Sequence, residues 1–170
     1  RWMIAAIIAI AASGAVLAVA ASPAVAERIG LDTFYFARRQ FIVLPFALIV
    51  MFAVSLLNRS GVRQVAVICF GLSVILMVYT LLNGDDIKGA TRWVTFGGFS
   101  IQPSEFVKPS FAIISAWMFT AWRLKEDFPG YMVAVGLYLA VVALLLMQPD
   151  VGMAILVSVV WGVQFFLAGL

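Results

Sequence analysis

The charged residues of this chain fall into short clusters, and long uncharged runs separate them. A run of about 18 or more apolar residues reads as a membrane-spanning helix, because about 20 residues rising about 1.5 Å each cross a hydrocarbon core about 30 Å thick. Six runs qualify or come close: residues 2–26, 41–57, 65–82, 106–122, 131–147 and 151–170. The bilayer core offers no water to an open backbone, so only helices and closed barrels can cross it. A barrel would show alternating polarity, which these runs lack. The pattern therefore predicts an all-α integral membrane protein, a polytopic helical bundle with six transmembrane helices. Flanking Arg, Lys and Trp side chains can snorkel or anchor at the interface, which makes the shorter runs tolerable.

Composition excludes the main alternatives. Of 170 residues, 65% are hydrophobic and 11% charged, against about 45–50% and about 25% in a soluble domain. No soluble core of this length could bury so much apolar surface. Cys69 stands alone and the chain has no histidine, which rules out a disulfide framework and a His/Cys metal site. A net charge of +3 spread over several loops does not make a nucleic-acid surface, so an anionic lipid is the better-matched partner. Ala24-Val25-Ala26 before Glu27 resembles a signal-peptide cleavage site. The apolar part is far longer than a signal core of about 7–15 residues, so the first run is expected to stay as a span. The start at Arg1 and the stop at Leu170 at the end of an apolar run read as a fragment of a longer chain.

Six spans sort the polar segments onto two faces. One face receives residues 27–40, 83–105 and the break Gln148-Pro149-Asp150; the other receives the start of the chain, Asn58 to Gln64 and Arg123 to Gly130. Arg28, Arg38, Arg39, Lys88, Arg92 and Lys108 oppose Arg1, Arg59, Arg63, Arg123 and Lys125, so the positive-inside rule does not orient the chain. Cations held on an outer face against that rule need another reason. Binding an anionic ligand is one, and pairing with Glu27, Asp32, Asp85, Asp86 and Glu105 is the other.

Three segments concentrate the polar chemistry. In residues 83–105, Asn83-Gly84 signals a turn, and Trp93-Val94-Thr95-Phe96 and Phe99-Ser100-Ile101 flank Gly97-Gly98 as a short hairpin would. Its aromatics suit the headgroup level. In Gln102-Pro103-Ser104-Glu105-Phe106-Val107-Lys108-Pro109, Ser104 is the expected N-cap and Glu105 suits the positive end of the helix dipole. Glu105 and Lys108, three apart, share a helix face and can pair. Pro109 removes a backbone donor, so the helix entrance is expected to be kinked or open. In Gln148-Pro149-Asp150, a tight turn joins two apolar runs and Asp150 can cap the second. Gln164, deeper in the last run, suits interhelical hydrogen bonding.

Lys88-Gly89-Ala90-Thr91-Arg92-Trp93, then Gln102 to Lys108, then Gln148-Pro149-Asp150-Val151-Gly152 resemble, in order and spacing, the SEDS family (shape, elongation, division and sporulation proteins). Phe34-Tyr35-Phe36-Ala37-Arg38-Arg39-Gln40 and Phe165-Phe166-Leu167-Ala168-Gly169 fit as well, so the resemblance covers essentially the whole chain. Ala21-Ser22-Pro23 and the Trp161 to Leu170 ending favour the division-associated type over the elongation type. The resemblance implies a ten-helix peptidoglycan glycosyltransferase of the bacterial cytoplasmic membrane, working at the division septum. It would polymerise lipid II alongside a class B penicillin-binding protein and other divisome proteins. It places residues 83–105 and Asp150 on the outer face. Arg92, Lys108 and Lys88 would bind pyrophosphate, Glu105 would position Lys108, and Asp150 would line the cavity. Trp93, Gln102 and Ser104 complete the candidate substrate-binding set.

The family's catalytic acid lies in an outer loop between the seventh and eighth helices, beyond Leu170, so this segment alone is expected to be inactive. Asp85-Asp86 could hold a divalent cation, Mg or Mn, although loop carboxylates near a turn are commonly just solvated. Three other readings stay open: a lipid II flippase or transporter, an elongation-type polymerase, and a non-catalytic scaffold. Against transport, the midplanes of the spans are nearly empty of ionisable residues, whereas a path for a pyrophosphate headgroup should be polar throughout.

Overall fold

The computed structural model describes residues 2–28, 30, 32–83, 93–96, 99–124 and 127–169. They form two compact units, Arg1–Leu57 and Asn58–Leu170.

The first unit pairs α1 (Trp2–Arg28) with α2 (Tyr35–Ser55). A buried serine fixes their connection. Ser22 Oγ donates to the Thr33 carbonyl at 2.9 Å and accepts from the Ala37 backbone N–H at 3.4 Å. α1 continues through Ala24-Val25-Ala26.

The second unit contains α3 (Arg59–Asn83), a hairpin of β1 (Val94–Phe96) and β2 (Phe99–Ile101), α4 (Pro103–Arg123), α5 (Gly130–Met147) and α6 (Val151–Leu167). The strands are antiparallel, with Val94 opposite Ile101 and Phe96 opposite Phe99, the pairing expected of a short hairpin; Gly97-Gly98 lie outside the described residues. Hydrogen bonds join Gln102, at the start of α4, to Asp150, just before α6, and Gln148, just after α5, to Thr80, near the end of α3. The end of α3, the start of α4, the end of α5 and the start of α6 therefore share one end of the unit, which also carries the hairpin.

Helices occupy all six predicted places, with corrected limits. α2 begins at Tyr35 and α3 at Arg59, so Arg38, Arg39, Arg59 and Arg63 are helical. Interfacial arginines can snorkel from a helix instead of ending it. α6 stops at Leu167, and Gly169 follows with φ +80°, a left-handed conformation that glycine adopts without steric cost. α1, α2, α3 and α5 are long and apolar enough to cross a bilayer by themselves. α6 is apolar but has 17 residues, about 26 Å of helix against a core of about 30 Å. α4 has the length but carries Glu105, Lys108 and Arg123, which lower its hydropathy.

Two further expectations are corrected in α4. Gln102, not Ser104, is the N-cap residue, and Pro103 is the first helical position. A proline there has its φ already set and lacks only an N–H that the helix would leave unpaired. α4 also runs through Pro109 without interruption. Ser110 Oγ donates to the Phe106 carbonyl at 2.6 Å and the Val107 carbonyl at 3.1 Å, adding bonds in the turn where the proline removes one.

The core of the second unit is layered. Met77, Val107, Phe111, Val141, Leu145, Ala154 and Val157 bring all four helices together toward the hairpin end. Ala66, Ile114, Met118, Phe119, Ala134 and Ala168 pack toward the opposite end. Tyr138 stacks on Trp161 at 4.5 Å and its hydroxyl meets Ser158 Oγ at 2.9 Å, tying α5 to α6. In a bilayer such packing and interhelical hydrogen bonds hold helices together, since lipid tails are as apolar as leucine. That also accounts for the many exposed large side chains, among them Ile8, Phe46, Ile75, Ile155 and Phe166.

Candidate functional site

The helix ends on the hairpin side gather most of the predicted polar residues. Asp150 precedes α6 and is 6% exposed. Its Oδ1 accepts from the Met153 N–H at 3.4 Å, as an N-cap does, and its Oδ2 accepts from Gln102 Nε2 at 3.3 Å. The same Gln102 nitrogen donates to Ser104 Oγ at 3.0 Å. The start of α4 and the start of α6 are thereby joined through one amide. The capping expected of Asp150 is present, and the dipole of α6 favours a carboxylate at that position.

One turn along α4, Lys108 Nζ meets Glu105 Oε2 at 2.7 Å. The Lys108 side chain is mostly buried, with 21% exposed, while Glu105 is half exposed at 49%. Lys108 lines a cleft of about 310 Å³ between α4 and α6, whose walls are Pro109, Phe111, Ala112, Leu156, Val157 and Val160. A cation at the rim of an apolar slot suits a ligand with an anionic head and an apolar tail.

Beneath this rim lies a residue that the sequence reading used only as part of a motif. Gln148 is 1% exposed and donates through Nε2 to Thr80 Oγ1 at 2.7 Å and to the Met77 carbonyl at 3.2 Å. Thr80 Oγ1 in turn donates to the Met77 carbonyl at 2.7 Å. The α5–α6 turn is thus fastened to the last turns of α3. The Asp150 N–H bonds the Leu145 carbonyl at 2.9 Å, which keeps the turn tight. The available signal was the polar break Gln148-Pro149-Asp150 between two long apolar runs.

The remaining predicted residues divide simply. Trp93, 40% exposed, immediately precedes β1. Ser104 is buried at 2%. Arg92, Lys88 and the Asp85-Asp86 pair lie outside the described residues. Among the described residues, no cluster of three His, Cys, Asp or Glu side chains is arranged to hold a metal ion. Gln164 donates from Nε2 to the Ala112 carbonyl at 3.0 Å, the interhelical role expected of it.

Apolar helices with a polar, ion-bearing rim at one end define a multi-pass membrane protein. The sequence pattern of the FtsW/RodA/SpoVE cell cycle proteins matches residues 1–170, and the chain belongs to that family. A probable peptidoglycan glycosyltransferase FtsW of Caulobacter vibrioides is 38% identical over 170 residues, which are 99% of this chain and 44% of that protein. The protein of the same name from Escherichia coli O6:H1 is 32% identical over 164 residues, 94% of this chain and 39% of that one. This chain therefore spans less than half the length of these relatives. The crystal structure of the rod shape determining protein RodA from Thermus thermophilus superposes with a TM-score of 0.68 at 31% identity, over 92% of this chain and 53% of that one. A chain of a peptidoglycan synthase complex, solved for the coordination of polymerization and crosslinking, superposes with a TM-score of 0.61 at 31% identity, over 85% and 44% respectively.

Proposed function

We propose that this chain is part of a division-type peptidoglycan glycosyltransferase, which polymerises lipid II on the outer face of the bacterial cytoplasmic membrane at the septum. In this reading residues 1–170 are the N-terminal part of one transmembrane domain, and a class B penicillin-binding protein crosslinks the strands. The observation that carries it is the Lys108–Glu105 pair at the rim of an apolar cleft, one turn along α4 from the Gln102–Asp150 link. A lipid-borne diphosphate presents the matching chemistry.

Glycosyl transfer from a pyrophosphate needs a base for the acceptor hydroxyl and positive charge for the departing phosphate. Lys108 supplies charge, with Arg92 and Lys88 as its expected companions. Glu105 holds the ammonium in the cleft and gives it up to a more strongly charged anion. Asp150 has both carboxylate oxygens engaged, so it acts as a support for the rim. The base belongs to the outer loop that the family resemblance places beyond Leu170. Asp85-Asp86 are the candidate ligands for a divalent cation, tested by chelation and readdition of Mg or Mn.

The test uses the full-length protein with its transpeptidase partner in lipid II-containing vesicles, with glycan length as readout. Arg92→Ala and Lys108→Ala should each lower polymerisation at least about tenfold, equivalent to about 1.4 kcal/mol. Normal polymerisation by both variants would remove the site assignment. Movement of lipid II between leaflets by the full-length protein, with no glycan formed, would select the transporter reading.

A further inference from the structure

The end of the second unit away from the hairpin carries a different feature. Arg63, four residues into α3 and about 6 Å along its axis from Arg59, stacks its guanidinium over the Trp117 ring of α4 at 5.0 Å. It is half-buried and forms no ion pair with a carboxylate among the described residues. Arg63 lines a groove of about 440 Å³ between α3 and α4, together with Ser60, Gln64, Val67, Ile68 and Trp117.

The lining is graded by polarity. Ser60, Arg63 and Gln64 offer a hydroxyl, a guanidinium and an amide at the outer end. Val67 and Ile68, a turn deeper on α3, are 47% and 63% exposed. Arg and Trp at the end of a span sit at headgroup depth, so this groove runs from the headgroup layer into the acyl layer. A guanidinium stacked on an indole is held in place before any ligand arrives, and its planar fork suits two phosphate oxygens.

We propose that this groove binds one anionic phospholipid of the surrounding bilayer, of the phosphatidylglycerol type. Its phosphate pairs with Arg63, its headgroup hydroxyls meet Ser60 and Gln64, and an acyl chain lies along Val67 and Ile68. The site is at the opposite end of the unit from Lys108 and is independent of the proposed catalysis.

The full-length protein is placed in vesicles of equal phosphatidylglycerol and phosphatidylcholine, with bromine on the chains of one lipid or the other. Quenching that belongs to Trp117 is the difference between the native protein and Trp117→Phe. Brominated phosphatidylglycerol should quench it with a preference of about fivefold in site occupancy, the ratio given by ~1 kcal/mol per cation near an anionic surface. Arg63→Gln should make the two lipids equal, and excess inorganic phosphate should leave the native preference in place. Equal quenching in the native protein, or a preference that survives Arg63→Gln, overturns the proposal. Loss of the preference on adding phosphate also overturns it, by identifying a free-phosphate site. Native mass spectrometry of phosphatidylglycerol retained by the native protein and by Arg63→Gln gives the same comparison without altering Trp117; equal retention again overturns it.

Discussion

Gln102 and Asp150, 48 positions apart in sequence, are joined by a 3.3 Å hydrogen bond from Nε2 to Oδ2. This couples the start of α4, which carries Lys108, to the cap of α6. Gln102→Leu removes the donor while leaving the cap intact, and should lower stability by about 1.5–3 kcal/mol, the range for a hydrogen bond to a charged group. Gln102→Glu should cost more, because it sets one carboxylate beside another. Thermal unfolding of the full-length protein in detergent checks the order native, Leu, Glu.

Gln148 joins the α5–α6 turn to α3 with its side chain buried. Interhelical hydrogen bonds in membrane proteins average about 0.6 kcal/mol and reach about 1.7 kcal/mol. The coupling energy between Gln148→Leu and Thr80→Val in a double-mutant cycle should fall within that range. Zero coupling would mean that the 2.7 Å contact contributes nothing to the fold.

These two glutamines show where sequence reading reaches its limit. The all-α membrane class and the places of the six helices are legible because uncharged runs admit only helices in a bilayer, although four of the six are long and apolar enough to cross it by themselves. The pairing of Glu105 with Lys108 was legible because it depends only on spacing within one helix. Helix limits were misjudged at Arg38, Arg39 and Arg59, since a charged residue ends the hydrophobic run but not the helix. Ser104 was expected to cap α4 from its residue type alone, and Pro103 moved the start of the helix ahead of it. The Gln148–Thr80 and Gln102–Asp150 contacts depend on which helix ends meet, which a single sequence does not state.

Stability and activity should separate at the rim. Glu105 is half exposed, and surface ion pairs contribute about 0–1 kcal/mol. Glu105→Gln should therefore change unfolding by less than about 1 kcal/mol. If Glu105 positions Lys108, the same substitution should reduce polymerisation, though less than Lys108→Ala does. Measuring both properties on one preparation distinguishes a positioning role from a purely structural one, which would leave polymerisation unchanged.

Two glycines of α5 should respond with opposite signs to the same substitution. At Gly130, a Cβ would overlap the backbone carbonyl oxygen of Met118, and that carbonyl belongs to α4 and cannot rotate away as a side chain could. The close approach lets α5 start against α4, beside the contact of Trp122 with Tyr131 at 6.2 Å. Gly130→Ala should force the helices apart and destabilise the protein by about 1–3 kcal/mol, the range for overpacking. At Gly136, nothing lies within 4 Å of the added carbon. Alanine there gains helix propensity of up to about 1 kcal/mol with no clash. Unfolding midpoints of the two variants should therefore bracket that of the native protein, with Gly130→Ala below and Gly136→Ala at or above it. A Gly130→Ala protein as stable as the native one would show that α4 and α5 do not meet at this point.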